Sequence, residues 1–400
     1  MQKRIVLGVS GGIAAYKAAE LVRRLRDEGA EVRVVMTRAA CEFITPLTMG
    51  AVSGRPVRTE LLDPGQEAAM GHIELARWAD IVLVAPASAN FLARLAHGMA
   101  DDLLSALCLA ADVPILAAPA MNQQMWRNAA TQDNVRVLSA RGVALLGPAE
   151  GEQACGETGP GRMLEAAELV QLVERHFHTG LLGGLQVLVT AGPTRESIDP
   201  VRFISNHSSG RMGYAIARAA HEAGAAVTLV SGPVSIDPPE RVRCVPVRTA
   251  EQMHTAVMHD VAGADIFIAA AAVADYRCSA ASEQKIKKRK ASLSLELERT
   301  PDILAEIAAL PRPPFTVGFA AETEELEKYA LDKLQAKGLD MIAANLVGAG
   351  RGMDTEDNAV EVYWPGGAAS LERASKDKIA RRLIHLVAER FHARGAQRAH

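Results

Sequence analysis

The fold of this chain is decided by its opening stretch, KRIVLGVSGGIAAYKAAELVRRLRDEGAEVRVVMT at residues 3–37. Its first part, KRIVLGVS, is a continuous apolar run bounded by glycine, which is typical of a strand buried on both faces. The segment AAYKAAELVRRLRDEG has the apolar spacing of an amphipathic helix closed by Gly29. AEVRVVMT then supplies a second strand. Together they predict a βαβ unit of a parallel sheet.

The alternation of strand and helix recurs and then restarts. Further apolar runs stand at 79–86, 113–121 and 143–148. Periodicity is lost near RHFHTGLLGG, so we place a boundary there between domains 1–184 and 185–400. LQVLVTAGPT is a new first strand, GYAIARAAHEAG its helix, and AAVTLVSGP, ADIFIAAAAVAD, FTVGFAAET and LDMIAAN continue the pattern. The sequence predicts an α/β protein with two tandem doubly wound, mainly parallel-sheet, Rossmann-like domains.

Composition narrows the classes of function. The chain has 49% hydrophobic and 23% charged residues with a net charge of −3, which suggests a globular protein without general affinity for nucleic acid or acidic membranes. Aromatic residues, at 4%, are too scarce for base-stacking platforms. The five cysteines form no C-x-x-C motif, which argues against a zinc knuckle or a disulfide framework and favours a cytoplasmic location. AGADIFIAAAAVAD, among the longest apolar stretches, is too short to span a bilayer.

The turn after the first strand is a candidate phosphate site. In GVSGGIAAYK, Ser10, Gly11 and Gly12 precede a helix whose N-terminal amides can hold an anion. The turn lacks a clean G-x-G-x-x-G, and an ordinary tight βα turn remains an alternative. An NAD site usually has an acidic residue after the second strand, whereas Thr37 and Arg38 stand there. A mononucleotide phosphate is therefore favoured over NAD.

Two more loops of small residues follow predicted strands. APASANF contains Ser88 and Asn90, and APAMNQQMW contains Asn122 and Met125. Both would let a planar ring approach the backbone, at the edge of the sheet where ligands bind. His72, in MGHIELARWAD, is also a candidate, although a lone histidine on a helix is more often structural.

The stretch ACGETGPGRM, residues 154–163, raises a further choice. It places Cys155 at the head of a loop with glycines at 156, 159 and 161. A small buried hydrophobe beside a turn is the usual fate of such a cysteine. A reactive thiol on a loop that can close over substrate is the alternative.

GGIAAYK, MGHIELARWADIVLVAPASAN, PAMNQQM and ACGETGPGRM together resemble the flavin-dependent phosphopantothenoylcysteine decarboxylases. The second half extends the resemblance to the bifunctional bacterial enzymes of coenzyme A biosynthesis, which add a phosphopantothenate–cysteine ligase. The resemblance implies a flavodoxin-like N-terminal domain that binds FMN and a C-terminal nucleotide-binding ligase domain. The implied FMN residues are Ser10, Gly11, Gly12, Thr37, Ser88 and Asn90, with Met125 near the substrate.

The implied chemistry in the first half is a decarboxylation without net redox change. FMN oxidises the substrate thiol to a thioaldehyde, so that the carbanion left by loss of CO2 delocalises onto sulfur. By the resemblance, His72 acts as a base in the oxidation and Asn122 grips the departing carboxylate. Cys155 then donates a proton to the enethiolate, because a thiol is mostly protonated at neutral pH.

The second half has two polar signals of its own. The stretch 191–217 is long and polar, and Asn206 with the following HSSG could form an anion nest at a helix start. KIKKRK, residues 285–290, is either a solvated charge run or a phosphate cluster, since extended backbone puts Lys285, Lys287 and Arg289 on one side. Asp275 ends an apolar strand, where a base, ribose or metal contact could lie.

The resemblance implies that this half joins 4′-phosphopantothenate to L-cysteine with CTP, through an acyl-cytidylate. Arg202 and Asn206 would stabilise the acyl-cytidylate, and Lys285 would neutralise phosphates. The residues implied around CTP are Asp275, Pro301, Asp302, Ile303, Leu304, Phe319, Lys333 and Lys337. Mg²⁺ is expected with CTP, but its protein ligands are not assigned.

Two other interpretations account for the sequence less well. A two-domain NAD(P) oxidoreductase gives no reason for PAMNQQM or for the thiol. A non-catalytic flavin-binding regulator need not combine His72, Asn122 and Cys155, and this chain has all three. The resemblance further implies a homo-oligomer, with trimeric contacts between flavin domains and paired ligase domains, and small-molecule substrates only.

Overall fold

The computed structural model describes residues 3–62, 71–178, 180–287, 293–348 and 357–398. Two compact units make up the chain, Met1–Phe177 and His178–His400. Among the described residues, no helix is long and apolar enough to cross a membrane.

The first unit is built on a parallel sheet with strand order β2-β1-β3-β4-β5. The strands are β1 (Arg4–Val9), β2 (Glu31–Met36), β3 (Ile81–Ala87), β4 (Ile115–Pro119) and β5 (Ala144–Leu145). Strand order reverses between β1 and β3, so the loops after these two strands diverge and leave a crevice at the carboxyl edge of the sheet. The βαβ unit read from residues 3–37 is confirmed, with β1 and β2 paired in parallel.

Helices cover both faces of this sheet. They are α1 (Lys17–Asp27), α2 (Arg38–Cys41), α3 (Pro46–Ser53), α4 (Gly71–Trp78), α5 (Ala89–Ala96), α6 (Leu103–Ala110), α7 (Gln123–Arg127), α8 (Ala129–Ala140) and α9 (Ala166–Phe177), with a 3₁₀ turn at Ile13–Tyr16 before α1. Alternate residues of β1 serve the two faces: Ile5 and Leu7 pack with α1 and α9, whereas Val6 packs with α5 and α6. The continuous apolar run is therefore explained by burial on both sides.

A two-stranded antiparallel hairpin follows β5 and carries the cysteine loop. Its strands are β6 (Ala149–Glu152) and β7 (Thr158–Arg162). The loop between them is closed by a hydrogen bond from the Gln153 amide to the Glu157 carbonyl, at 2.8 Å. The sequence predicted no hairpin here, because TGPGR consists largely of residues that disfavour strands. The strand expected over 143–148 is confirmed only for the two residues of β5.

The second unit contains an eight-stranded sheet, ordered β12-β11-β8-β13-β16-β17-β18-β19. The strands of this unit are β8 (Gln186–Ala191), β9 (Arg195–Ser197), β10 (Phe203–Ser205), β11 (Ala226–Ser231), β12 (Arg243–Pro246), β13 (Ile266–Ala269), β14 (Tyr276–Cys278), β15 (Leu297–Arg299), β16 (Phe315–Glu322), β17 (Met341–Leu346), β18 (Asp357–Trp364) and β19 (Gly367–Ser375). β9 pairs with β10, and β14 with β15, as separate hairpins. Strand order reverses between β8 and β13, which puts the second crevice there.

The helices of the second unit are α10 (Arg211–Glu222), α11 (Ala250–Asp260), α12 (Ile303–Ala308), α13 (Leu326–Ala336) and α14 (Lys376–Arg398), with a 3₁₀ turn at Val261–Gly263. α10 and α14 pack on one face of the sheet, and α11, α12 and α13 on the other. The doubly wound pattern is thus confirmed in both units. The long loop expected over 191–217 is partly wrong, since it contains the short β9–β10 hairpin before α10 begins.

Candidate functional sites

Ser10 joins the two loops that border the crevice of the first unit. Its side chain is buried, and Oγ donates to the Pro86 carbonyl at 2.8 Å and accepts from the Ser88 amide at 2.8 Å. The hydroxyl thus ties the end of β1 to the end of β3 across the point where strand order reverses. We conclude that Ser10 shapes the crevice as well as lining it.

The crevice is a cleft of about 810 Å³. All seven residues predicted for FMN or for the substrate beside it line this cleft: Ser10, Gly11, Gly12, Thr37, Ser88, Asn90 and Met125. A Cβ on Gly11 would lie 2.5 Å from the Ala39 Cβ, so only glycine lets the two backbone segments approach. Thr37 and Ser88 cap the helices that follow them, accepting from the amides of Ala40 and Phe91 at 3.2 and 3.3 Å. Both caps orient helix N-termini toward this edge of the sheet.

The charges around the cleft suit an anion more than a ribose diol. Thr37 occupies the end of β2, and the exposed Arg38 lines the cleft beside it. Asp101 and Asp102 also line the cleft, but Arg94 pairs with both, at 3.2 and 2.9 Å. Two of the carboxylates near Arg38 therefore already have a cationic partner, and Glu42 also lines the cleft.

Asn122 and Cys155 are brought together beside this cleft. The Asn122 amide nitrogen lies 3.4 Å from Cys155 Sγ, 3.3 Å from Gln153 Oε1 and 2.8 Å from Glu157 Oε2. Its oxygen caps α7 by accepting from the Gln124 amide at 2.8 Å. Hydrogen bonds from Asn122, and then from Gln123, hold the pKa of Glu157 below its usual range. The thiol is exposed, which excludes the alternative of a small buried hydrophobe.

The hairpin is fixed to the Asn122 segment by backbone contact. The Met121 amide donates to the Gly161 carbonyl at 2.9 Å. A Cβ on Gly161, whose φ is +142°, would lie 2.3 Å from the Met121 carbonyl oxygen. Met121 and Met125 line the cleft on either side of Asn122. Cys155 is therefore held near the cleft entrance, although neither it nor Asn122 lines the cleft itself.

His72 stands apart from these groups. It is the second residue of α4, and its Nδ1 is buried without a hydrogen-bond partner among the described parts of the chain. It does not line the 810 Å³ cleft. The structure thus brings Asn122 to Cys155 but gives no contact between His72 and either of them.

The second unit has its own cleft, of about 690 Å³, at the crevice between β8 and β13. Nine predicted ligase residues line it: Asn206, Asp275, Pro301, Asp302, Ile303, Leu304, Phe319, Lys333 and Lys337. Arg202 and Lys285 do not. A Cβ on Gly213 would lie 2.5 Å from the Ala191 Cβ, so glycine allows α10 to pack closely against the end of β8.

Lys333 and Lys337 form a cationic wall with Asp302. Lys337 Nζ contacts both Asp302 oxygens, at 2.8 and 2.6 Å, and Lys333 Nζ donates to the Phe319 carbonyl at 2.8 Å. Burial, and then the neighbouring Lys337, lower the pKa of Lys333. Burial alone would raise the pKa of Asp302, but hydrogen bonds from Lys337 and the Ala305 amide leave it below its usual range. This wall suits a phosphate chain.

On the opposite side of the cleft, Asn206 reaches the loop after β13. Its amide nitrogen donates to the carbonyls of Ala272 and Val273, at 3.0 and 3.3 Å. Ser208, Ser209 and Gly210, which lead into α10, line the cleft as the predicted anion nest requires.

Arg202 contacts Ile286 of the KIKKRK segment and does not line the cleft. It donates to Asp199 through Nε at 3.0 Å and to the Ile286 carbonyl at 2.9 Å, while the Ile286 amide donates to Asp199 at 3.1 Å. The Arg202 contact is the main reason that the pKa of Asp199 is strongly lowered. Lys285 and Lys287 are exposed on either side of Ile286. Arg289 lies outside the described residues.

Sequence reasoning missed eight polar residues that line the ligase cleft. They are Thr190, Arg211, Tyr276, Arg299, Thr300, Asn345, Asn358 and Lys376. Asn345 ends the apolar run of LDMIAAN near the carboxyl end of β17, a signal that could have singled it out. Lys376 begins a helix with several charges and reads as part of a solvated face. In the described ranges, no group of three or more His, Cys, Asp or Glu side chains is arranged to hold a metal ion.

Comparison with known proteins agrees with the division of the chain into two units. The Flavoprotein family matches residues 1–178, and the family of the DNA/pantothenate metabolism flavoprotein C-terminal domain matches residues 182–391. These matches and the two clefts define a two-domain flavoprotein enzyme. The coenzyme A biosynthesis bifunctional protein CoaBC of Vibrio cholerae is 57% identical, over 97% of this chain and 98% of that protein. The chain belongs to this family of bifunctional coenzyme A biosynthesis enzymes, which combine phosphopantothenoylcysteine decarboxylase and phosphopantothenate–cysteine ligase.

Other relatives are similar over the same span or over one half. The protein of the same name from Escherichia coli K12 is 52% identical, over 97% of each chain. The crystal structure of the C-terminal domain of a coenzyme A biosynthesis bifunctional protein CoaBC is 40% identical. It covers 54% of this chain and 99% of that chain, with a TM-score of 0.47.

Proposed function

We propose that the second unit joins 4′-phosphopantothenate to L-cysteine with CTP, and that the first unit decarboxylates the product to 4′-phosphopantetheine. The observation that carries the proposal is the contact between Asn122 and Cys155 beside a cleft suited to a mononucleotide. It unites two sequence motifs at one place, as a decarboxylase with a terminal proton donor requires. The separate cleft of the second unit supports a second reaction.

The residues of the first cleft fit FMN. Gly11 admits a close backbone approach, Arg38 supplies a cation, and the loops with Ser88 and Asn90 offer small side chains beside a planar ring. When bound, FMN supplies a reversible two-electron oxidant for the substrate thiol, so that the electron pair is returned and no net redox change occurs. Ser10 keeps the loops after β1 and β3 at a fixed separation for it.

The polar residues beside the cleft divide the decarboxylation between them. Asn122 orients the substrate carboxylate through its amide, so that the bond from the α-carbon to the carboxyl carbon breaks with release of CO2. Cys155 gives its proton to the resulting enethiolate and is reprotonated from solvent. His72 accepts the proton released during thiol oxidation, for which its unpartnered Nδ1 is suited.

The ligase reaction takes place in the second cleft. A carboxylate oxygen of phosphopantothenate attacks the α-phosphorus of CTP, and pyrophosphate leaves. The cysteine amine then attacks the acyl carbon, loses its proton, and displaces CMP. Lys333, Lys337 and Lys285 offset the charge of the triphosphate, and Asn206 stabilises the acyl-cytidylate. Arg202 positions Lys285 through Asp199 and Ile286.

Several finer features belong to the same proposal. Mg²⁺ enters bound to the CTP phosphates, because this ion is commonly bound through substrate phosphates. The enzyme works in the cytoplasm, where all five of its free cysteines stay reduced. It assembles as a homo-oligomer through its flavin domains and its paired ligase domains.

The full chain, incubated with phosphopantothenate, L-cysteine and CTP, tests both halves at once. We expect pyrophosphate, CMP and CO2 to form in equal amounts, and the protein to be yellow, with FMN released on denaturation. Pyrophosphate without CO2, or a protein that carries NAD, FAD or no flavin, would contradict the assignment of the first unit. CO2 from supplied phosphopantothenoylcysteine without any pyrophosphate from CTP would contradict that of the second.

A further inference from the structure

The side-chain amide of Asn122 is fully engaged within the protein. Its Oδ1 accepts from the Gln124 amide at 2.8 Å, which fixes the orientation of the group. Its Nδ2 has two hydrogens to donate. Three acceptors of the described chain lie around Nδ2: Glu157 Oε2 at 2.8 Å, Gln153 Oε1 at 3.3 Å and Cys155 Sγ at 3.4 Å. A substrate carboxylate held by Asn122 must therefore displace one of them.

Gln153 is tied into the fold and is a poor candidate to leave. Its Oε1 also accepts from the Gln123 backbone amide at 3.0 Å, and its Nε2 donates to the Pro160 carbonyl at 3.3 Å. Movement of Gln153 would take a partner from both backbone groups at once. The remaining neighbour, the Cys155 thiol, is a weak acceptor and gives up little when the amide turns to another partner.

Glu157, in contrast, can leave the amide at little cost. Its side chain is exposed, so the carboxylate is hydrated when it moves away. Among the described residues, that carboxylate accepts only from Asn122 and from Gln123 Nε2, the latter at 3.3 Å. The preceding residue, Gly156, has a φ of +80°, and a Cβ added to it would meet no atom within 4 Å. This part of the loop is therefore surrounded by open space.

Glu157 is also the acceptor that resembles the substrate. It is the only carboxylate of the three, and its contact with Nδ2 is the shortest. The donors of Asn122 and Gln123 lower its pKa and so favour its ionised form. The substrate presents the same group to the same amide, and both carboxylates need one charge-assisted hydrogen bond. We propose that Glu157 occupies the place of the substrate carboxylate in the ligand-free enzyme and gives it up when substrate binds, an inference that rests on the decarboxylase function proposed above.

This exchange sets the relative affinities of substrate and product. The substrate gains the hydrogen bond from Asn122 only when the hydrogen bond to Glu157 is lost, so its carboxylate adds little to ground-state binding. The product has no carboxylate. Once CO2 has left, Glu157 returns to the Asn122 amide, which would otherwise lose a partner. Glu157 therefore reduces the preference of the enzyme for substrate over product.

The test uses the full chain with FMN bound and supplied phosphopantothenoylcysteine. It measures KM for CO2 release and the inhibition constant of the product, 4′-phosphopantetheine. Glu157→Gln keeps the size of the side chain but replaces a charge-assisted hydrogen bond with a weaker neutral one. We expect KM to fall about threefold to tenfold, while the inhibition constant of the product stays within about twofold. Glu157→Ala, which leaves no acceptor at all, should lower KM as well.

The matched control is Glu152→Gln. Glu152 is an exposed carboxylate of the same hairpin, and it is not among the hydrogen-bond partners of Asn122 in the described chain. A general effect of negative charge on an anionic substrate should appear in this variant too. Such an effect should also lower the inhibition constant of the product, because substrate and product have the same phosphate.

The possible results are distinct. A KM that does not fall in Glu157→Gln would overturn the proposal. So would a fall in KM that is matched by the inhibition constant of the product, or one that appears equally in Glu152→Gln. A wild-type enzyme that releases no CO2 from phosphopantothenoylcysteine would contradict the decarboxylase function itself, before any variant is compared.

Discussion

The amide of Asn122 holds the thiol of Cys155, with nitrogen and sulfur 3.4 Å apart, although the two residues belong to different elements of the first unit. The same nitrogen lies 2.8 Å from Glu157, so the cysteine loop is fastened to the start of α7 at two points. A carboxylate held by Asn122 would therefore lie beside the proton that Cys155 can give. This arrangement makes the order of events in the decarboxylation testable.

Cys155→Ser should block only the last half of that reaction. A serine hydroxyl has a similar size but is a far weaker acid, so the enethiolate cannot be protonated. The variant should bind FMN and release CO2, and then stall with an oxidised enethiol product two hydrogens lighter than the normal product. Mass spectrometry of the product and the flavin spectrum in single turnovers check this. Normal 4′-phosphopantetheine at close to the wild-type rate would show that the thiol is not the proton donor.

His72→Asn provides the contrast. Because we assign His72 to the oxidation step, this variant should fail to reduce the flavin with substrate and should release no CO2. Stopped-flow absorbance of the bound flavin distinguishes the two variants. Flavin reduction at the wild-type rate would remove His72 from the oxidation step.

Gly161→Ala should separate the cysteine hairpin from the cleft. The added Cβ would lie 2.3 Å from the Met121 carbonyl oxygen at a φ of +142°, so the hairpin or the Met121 segment must shift. We expect a loss of stability of about 1–3 kcal/mol and a decarboxylation rate at least tenfold lower. Thermal unfolding and CO2 release measure these effects, and the ligase activity should be unchanged.

Gly142→Ala is the control for that change. Gly142 also has a positive φ, +85°, but no atom lies within 4 Å of the added Cβ. Only the backbone cost of roughly 1 kcal/mol should appear, with decarboxylation preserved. Equal loss of activity in both variants would show that the contact with Met121 is not what matters.

The hydrogen bonds of Glu157 predict a pH effect on the cysteine loop. Its pKa is lowered in the folded protein from an ordinary value of 4.5, so ionised Glu157 favours the ordered loop. That contribution is complete above about pH 4.5 and is lost as the pH falls through the lowered pKa. Hydrogen exchange at the Gly156 amide, corrected for intrinsic rates, should become less protected below that pH. Glu157→Gln should abolish this dependence, and a dependence that persists in the variant would exclude Glu157 as its source.

Lys285→Gln should inactivate the ligase selectively. Because we assign Lys285 to the charge of the triphosphate, its loss should cost a few kcal/mol of transition-state stabilisation, and kcat/KM for pyrophosphate release should fall about a hundredfold or more. Decarboxylation of supplied phosphopantothenoylcysteine should continue. Lys287→Gln is the matched control, because Lys287 is also an exposed lysine of KIKKRK and lies on the other side of Ile286. Equal and small effects in both variants would show that the run is only a solvated surface.

The sequence could predict what depends on local patterns. Residues 3–37 have the apolar period and the closing glycine of a βαβ unit, and burial of β1 on both faces makes that pattern unambiguous. The loops after β1, β2 and β3 could be assigned to one site because parallel strands end at the same edge. The same rule predicted nine residues that line the second cleft, whereas Arg202 and Lys285 do not line it.

Features that depend on distant contacts could not be read in advance. β7 forms because it pairs with β6 and because the Gly161 carbonyl accepts from Met121, whereas its own residues suggest a loop. Arg202 reads as a ligand of the cleft, but Asp199 and Ile286 engage it instead. The presence of Asn358 and Lys376 in one cleft depends on the register of β18 with β19, which no single segment specifies.

The hydrogen bond between Met121 and Gly161 has a consequence for how this enzyme can be rebuilt. This hydrogen bond joins the two ends of the segment 121–162, which runs from the PAMN motif to the cysteine hairpin. The segment therefore contains the contact that sets Asn122 beside Cys155. We therefore expect residues 121–162 to be the segment to exchange as a whole in chimeras between relatives. A chimera that replaces 121–162 in one piece should keep the Asn122 amide beside the Cys155 thiol. A chimera whose junction lies between these two residues combines a PAMN segment from one parent with a cysteine hairpin from the other, and the contact between them should be weakened.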